Sequence, residues 1–279
     1  MRVACCQIAP DVADPAVSRA EAGEAIAAAV AGGAQIVVLP ELANSGYVFR
    51  SEAEVRAAAT PADGEVLASW AAAAAGGDAV VIAGFCELAP DGAIHNSAAV
   101  LDGGGVLAVY RKLHLWDEEQ RWFMPGSDCA PVLDTCHGRI GVAVCYDLEF
   151  PELTRGLALV GAELIALPTN WPRDPNPPDD RPILHSLASV TAYLNKVYVA
   201  VCDRCGSERG LEFEGGSAIV AADGALVAGP VKDRGAATIT ADCDLRRARD
   251  KRSGPRNDAF ADRRPGCYAV ALVADEAAR

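Results

Sequence analysis

Two stretches of this chain follow one plan, and together they restrict its fold more than any other feature. In the first, a strand-like apolar run over residues 3–8 leads to an Ala-rich amphipathic segment over 16–31, closed by Gly32-Gly33, and then to a buried run over 36–39 that ends in Pro40-Glu41. In the second, a strand-like run over 140–145 leads to a helical segment over 151–161, with Pro151 suited to its first turn, and then to a run over 163–167 that also ends at a proline, LPTNW. Strand, helix and strand in that order predict parallel strands joined by a right-handed crossover. Two such units predict two pseudo-equivalent halves.

The remaining segments fit around those halves. The spacing predicts a helix over 64–75 and an antiparallel meander over 80–87, 95–101 and 105–110, with DG and GGG turns between its strands. A third helix over 181–195 follows the loop WPRDPNPPDD, whose proline and aspartate content suits the rim of a site. Strands over 197–202, 216–221, 225–228 and 236–241 come next, then a short basic helix over 244–252 and a tail with enough apolar residues to dock. No shift in composition marks a linker, so residues 1–279 are expected to form a single α/β domain. Its two mixed sheets would pack on each other, with helices on the outer faces.

Composition narrows the class of function. At 279 residues, 51% of them apolar, the chain can bury a sizeable core. A formal charge of −13 with no basic stripe argues against a nucleic-acid or anionic-membrane surface. No apolar run approaches the ~18 residues of a membrane span. Met1 leads straight into a strand with no basic or apolar leader, so a cytoplasmic protein is expected. Of the ten cysteines, Cys5, Cys6, Cys86 and Cys202 sit inside apolar runs, where reduced thiols pack as small hydrophobes, and no disulfides are expected. The single C-x-x-C, Cys202 to Cys205, has no second pair and is not expected to hold zinc.

Chemistry in a fold of this kind collects at the carboxyl ends of the strands. Cys145 stands where a strand ends and a helix is about to begin, a junction that exposes a side chain near helix-start N–H groups. Glu41 follows the run IVVLP, Lys112 follows VLAVYR, and Asn170-Trp171 follow LIALPT. A carboxylate, an ammonium and a thiol at one edge form a chemically complete set. The carboxylate takes the thiol proton, and the ammonium stabilises the negative charge on an attacked carbonyl oxygen, with the backbone N–H of Tyr146 as a second donor. Lysine is informative in a chain that has only four of them, Lys112, Lys196, Lys232 and Lys251, because Arg111 next to it shows that a cation alone is not what position 112 selects. In the segment after it, LHLWDEEQRWFMPG, one of Asp117, Glu118 and Glu119 is expected to turn inward beside Lys112. His114 reads as structural.

These residues lie in motifs that resemble the nitrilase superfamily of carbon–nitrogen hydrolases. The matching stretches are LPELANSGY, YRKLHLW with EEQRWFMPG, GVAVCYDLEFPELTR, LPTNW, AYLNKVYVA, GGSAIVAADG and NDAFADRRP, in that order over essentially the full length. The resemblance implies a four-layer αββα sandwich and a Glu-Lys-Cys triad, here Glu41, Lys112 and Cys145. It also implies a second active-site glutamate, placed at Glu119 with Glu118 as the alternative. It further implies a homodimer or a larger assembly of dimers, and no metal or organic cofactor. True nitrilases carry Cys-Trp-Glu at the nucleophile, whereas Cys145-Tyr146-Asp147 is similar to the amidase branch. The expected activity is hydrolysis of a small carboxamide through a thioester, in a pocket walled by Tyr47, Tyr146, Asn170 and Trp171. An N-carbamoyl amide hydrolase is the alternative, ahead of a nitrilase or a non-catalytic binding protein. For the acyl group, only Arg173 and Arg181 hint at a carboxylate-bearing substrate.

Overall fold

Each strand–helix–strand unit becomes the centre of its own sheet in the computed structural model, which describes residues 1–176, 182–231 and 234–268. In chain order the elements are β1 (Arg2–Gln7), α1 (Pro15–Ala31), β2 (Ile36–Val38), α2 (Glu52–Ala58), α3 (Glu65–Ala74), β3 (Val80–Leu88), β4 (Ile94–Asp102) and β5 (Gly105–Arg111). There follow β6 (Val132–Thr135), β7 (Gly138–Val142), α4 (Pro151–Val160), β8 (Leu164–Thr169), α5 (Ile183–Asn195) and β9 (Tyr198–Asp203). A short ribbon, β10 (Ser207–Glu208) with β11 (Leu211–Glu212), precedes β12 (Ala218–Val220), β13 (Leu226–Ala228) and β14 (Ala237–Asp242).

The first sheet has the order β14-β1-β2-β3-β4-β5 and the second β13-β12-β9-β8-β7-β6. Both are mixed in the same way. Parallel strands β1, β2 and β3 form the middle of one, and β7, β8 and β9 the middle of the other, with antiparallel strands on either side. Residues that alternate along a strand separate into two layers. Val3, Ile36, Val38, Val80 and Ile82 of the first sheet meet Ile140, Val142, Leu164, Ala166 and Ala200 of the second in a shared inner core. Their neighbours face outward: Val37, Val81 and Phe85 onto α1 and α3, and Ile165, Val199 and Val201 onto α4 and α5. The result is the expected αββα sandwich. Each large aliphatic side chain fully buried this way contributes roughly 1.5–3 kcal/mol.

Several local expectations differ from what forms. The strand expected over 140–145 ends at Val142, because the Val144 N–H donates to the Asp147 carboxylate at 2.9 Å rather than to a neighbouring strand. The basic helix expected over 244–252 is only a 3-10 turn, Leu245–Arg249. Helix α2 was not expected, although its capping pattern is in the sequence: Ser51 Oγ accepts from the Glu54 N–H at 3.3 Å, and Glu54 accepts from the Arg50 N–H at 2.8 Å. Strand β6 was also missed. The rim loop and the start of the third helix fall partly on residues 177–181, outside the described residues.

Candidate active site

Glu41 sits three residues beyond Val38, the end of β2, in a tight turn against β3. That turn is possible because position 84 is glycine: a Cβ there would lie 2.4 Å from the Glu41 Cα. The Glu41 side chain is completely buried. Its Oε1 accepts from Lys112 Nζ at 2.7 Å and from Asn96 Nδ2 at 2.6 Å, while Oε2 has no hydrogen-bond partner among the described residues.

Lys112 leaves the end of β5 with its backbone N–H still bonded to the Asn96 carbonyl at 2.9 Å. The chain then returns over it, and the Gly126 N–H donates to the Lys112 carbonyl at 2.8 Å. A Cβ at position 126 would lie 2.2 Å from the Arg111 oxygen, so the Pro125-Gly126 pair is what lets this return pass so close. The Lys112 ammonium reaches Glu119 Oε1 and Oε2, both at 2.8 Å. Glu119 is therefore the carboxylate that turns inward, held also by the Tyr47 hydroxyl at 2.7 Å and the Trp116 N–H at 3.2 Å. Glu118 points to solvent and pairs with Arg121.

Cys145 opens a 3-10 turn, Cys145–Glu149, with a backbone φ of 48°, in the left-handed region that costs a non-glycine residue about 1–2 kcal/mol. Asp147 holds the turn in that shape. Its buried carboxylate accepts from the Val144 N–H at 2.9 Å, from the Tyr110 hydroxyl at 2.8 Å and from the His114 N–H at 3.2 Å, and it pairs with His114 Nδ1 at 2.7 Å. His114 also stacks on Phe150 with ring centroids 3.5 Å apart, a structural role. Strain at one residue, fixed by several hydrogen bonds to its neighbours, is the usual mark of a pre-organised nucleophile.

The electrostatics of the cluster follow from burial. Loss of water raises Glu41 from an ordinary carboxylate value to about 7; Lys112 opposes this and the Glu119 charge adds to it. Burial raises the Cys145 thiol well above the usual range, and the Glu41 charge raises it further, with Lys112 and the Asn170 N–H pulling the other way. Burial lowers Lys112, but Glu119, Glu41 and Cys145 together outweigh it and keep the ammonium charged. The resting arrangement near neutral pH is thus a protonated thiol beside a half-ionised carboxylate and a permanent cation.

A pocket of about 110 Å³ opens onto Cys145, lined by Tyr47, Trp116, Tyr146, Glu149, Asn170, Trp171 and Pro172. All four wall residues expected from the sequence line it. Asn170 is buried, and neither atom of its side-chain amide has a partner among the described residues. Trp171 is fixed by its N–H, which donates to Asp203 at 2.9 Å. Arg173 instead pairs with Glu212 at 2.6 Å, and Arg181 lies outside the described residues. The sequence reading missed Asn96 and Asp147. The signal for Asn96 was present as a polar triplet, His95-Asn96-Ser97, in the middle of an otherwise apolar strand.

The carbon–nitrogen hydrolase family model matches residues 2–253. The chain belongs to that family. This carbon–nitrogen hydrolase is 36% identical over 269 residues to a nitrilase from Pyrococcus abyssi, a match covering 96% of this chain and 99% of the relative. It is 31% identical over 280 residues to N-carbamoylputrescine amidase from Solanum lycopersicum, covering 94% of this chain and 92% of that one. Among solved structures, an amidase from Nesterenkonia sp. AN1 superposes with a TM-score of 0.74 at 29% identity, covering 90% of this chain and 96% of that chain. A mutant of that amidase has been seen with acrylamide added at its active-site cysteine. The chain is therefore an amidase-like hydrolase of carbon–nitrogen bonds other than peptide bonds.

Proposed function

We propose that this hydrolase converts a small carboxamide into its carboxylic acid and ammonia through a thioester on Cys145. The observation that carries the reading is Lys112 bridging Glu41 and Glu119 at 2.7 and 2.8 Å, fully buried, with its charge felt at Cys145. Cys145 Sγ attacks the amide carbon while its proton passes to Glu41 and the carbonyl π pair moves onto oxygen. Lys112 and the Tyr146 backbone N–H, which donates to no described group, stabilise that oxygen. The oxyanion collapses, the C–N bond breaks, and the Glu41 proton leaves on ammonia. Water then gives a proton to Glu41, attacks the thioester and releases the acid, and the proton returns to the thiol. Glu119 keeps the ammonium in place, with Tyr47 behind it. The narrow pocket and the unpaired amide of Asn170 support a small substrate with a polar reacting end. The Solanum relative keeps a second reading open, hydrolysis of an N-carbamoyl amine at its ureido C–N bond.

Ammonia release across aliphatic amides, aromatic amides, N-carbamoyl amines and nitriles separates these readings. Amides are expected to turn over fastest; turnover of nitriles alone, with no amide hydrolysed, would overturn the proposal. Because Glu41 must be ionised to take the thiol proton, kcat/KM for a neutral amide should rise through a midpoint near 7 and then level off. A limb centred instead in the ordinary carboxylate range, near 4.5, would show that a buried Glu41 is not the base.

The whole chain, 1–279, is proposed to fold as one unit working in a reducing cytoplasm, since β14 near its end pairs with β1 and thiols such as Cys5 and Cys202 are packed in the core. The unit is proposed to pair with a second copy through α4 and α5. Arg155 of α4 donates to the Leu194 carbonyl of α5 at 3.0 Å, and this outer layer leaves Leu159, Val160, Val190, Tyr193 and Leu194 exposed. Light scattering on the purified protein should give a dimer or a multiple of it, and Val160→Glu with Val190→Glu should shift it towards monomer. A wild-type monomer at micromolar concentration would refute this interface.

A further inference from the structure

Glu149 closes the nucleophile turn, lines the Cys145 pocket and remains exposed to solvent. Other acidic groups around the site are partnered: Glu41 and Glu119 by Lys112, Asp147 by His114 and Tyr110, Glu208 by Arg204, Glu212 by Arg173. Among the described residues Glu149 has no ion pair and no hydrogen bond, and no lysine or arginine lines the pocket. It has nevertheless lost part of its water to the pocket wall, which raises its pKa. A carboxylate on a pocket wall with no counterion among the described residues favours a cation bound beside it. Around it are the rings of Trp116, Tyr146 and Trp171, whose faces also attract a positive charge. Glu149 lies four positions beyond Cys145 in the 3-10 turn, a rise of roughly 8 Å, the reach of a short alkyl chain between a reacting carbonyl and a distal charge.

We propose that the pocket selects amides whose acyl group ends in a protonated amine, with Glu149 pairing the ammonium while the carbonyl sits at Cys145. This rests on the amidase reading above and reverses the hint of a carboxylate-bearing substrate that Arg173 and Arg181 offered in the sequence. Glu149 is a specificity residue here and takes no part in proton transfer.

The test compares three amides of one chain length: 4-aminobutanamide, pentanamide and 4-carbamoylbutanoate, which end in ammonium, methyl and carboxylate. The wild type should prefer them in that order by kcat/KM. Glu149→Gln should cut the ratio of amino amide to pentanamide by about fivefold to tenfold, the size of a partly solvated ion pair. Glu149→Arg should move the preference to the carboxylate. If pentanamide is hydrolysed but the amino amide is no better, or if its advantage survives both substitutions, the charge-selection proposal falls while the amidase reading stands. If none of the three releases ammonia, the amidase reading falls and this proposal with it.

Discussion

Cys145→Ala is expected to abolish amide turnover, with kcat reduced on the order of 10⁵-fold or more, as when the nucleophile of a covalent hydrolase is removed. The fold should persist. The cysteine contributes one buried sulfur at the start of a turn whose shape is held by Asp147 through the Val144 N–H, Tyr110 and His114, none of which the substitution touches. Alanine at φ 48° pays the same conformational cost as the cysteine it replaces, so stability should change by only about 1 kcal/mol. Ammonia release and a thermal melt on the same preparation check both halves of this expectation. The complementary variant, Glu41→Gln, keeps the nucleophile but removes the base that activates water, so an amide should leave its acyl mass on Cys145 in an acid-quenched sample. Cys145→Ala retaining turnover within tenfold of wild type would remove the thioester mechanism.

Lys112→Met should lose both activity and stability. In the wild type one buried ammonium satisfies two buried carboxylates, and removing it leaves Glu41 and Glu119 facing each other without a counterion. Breaking a buried ion pair in this way costs about 3–5 kcal/mol, which in a chain of this size lowers Tm on the order of 10 °C. The loss should depend on pH, and its sign can be worked out. Burial already raises Glu41 to about 7, above its unfolded value of 4.5, and Lys112 is the strongest influence lowering it. Without the lysine the folded carboxyl is raised further. A carboxyl raised on folding favours the fold fully below its unfolded pKa and loses that contribution as pH rises through the folded pKa. The variant should therefore approach wild-type stability near pH 5 and fall furthest behind it above pH 7. Melts at several pH values measure this directly, and a deficit that does not change with pH would mean that the two glutamates are not held together by the lysine charge. Lys112→Arg should not rescue activity, since a planar guanidinium does not fit where a compact ammonium is enclosed on every side.

Much of the site was legible because it lies at the ends of strands whose periods are local. The run IVV ending at Pro40-Glu41 and the run ending at Arg111-Lys112 point to residues 41 and 112 without any knowledge of what lies opposite. Cys145 was legible in the same way, although its strand stops at Val142 and the thiol is presented by a strained turn instead. The choice of Glu119 over Glu118 needed the spacing to Pro125-Gly126 that the family resemblance supplied. In the structure the chain passes back over Lys112 at Gly126, and Glu119 joins Glu41 on the ammonium while Glu118 pairs with Arg121.

By itself, then, the sequence determined the alternation of strands and helices, the two-unit plan and the residues waiting at the strand ends. Those follow from side-chain period, glycine and proline, which act over a few neighbours. Only the tertiary structure decided that Asn96 shares Glu41 with Lys112, that Asp147 holds the turn under Cys145, and that Glu149 lines the pocket with no counterion among the described residues. Glu41 and Lys112 are 71 residues apart in the chain. Their meeting depends on the strand order of the first sheet, and the proton affinity of the base and thiol beside them on that sheet packing against the second and expelling water from the edge between them, which no local period encodes.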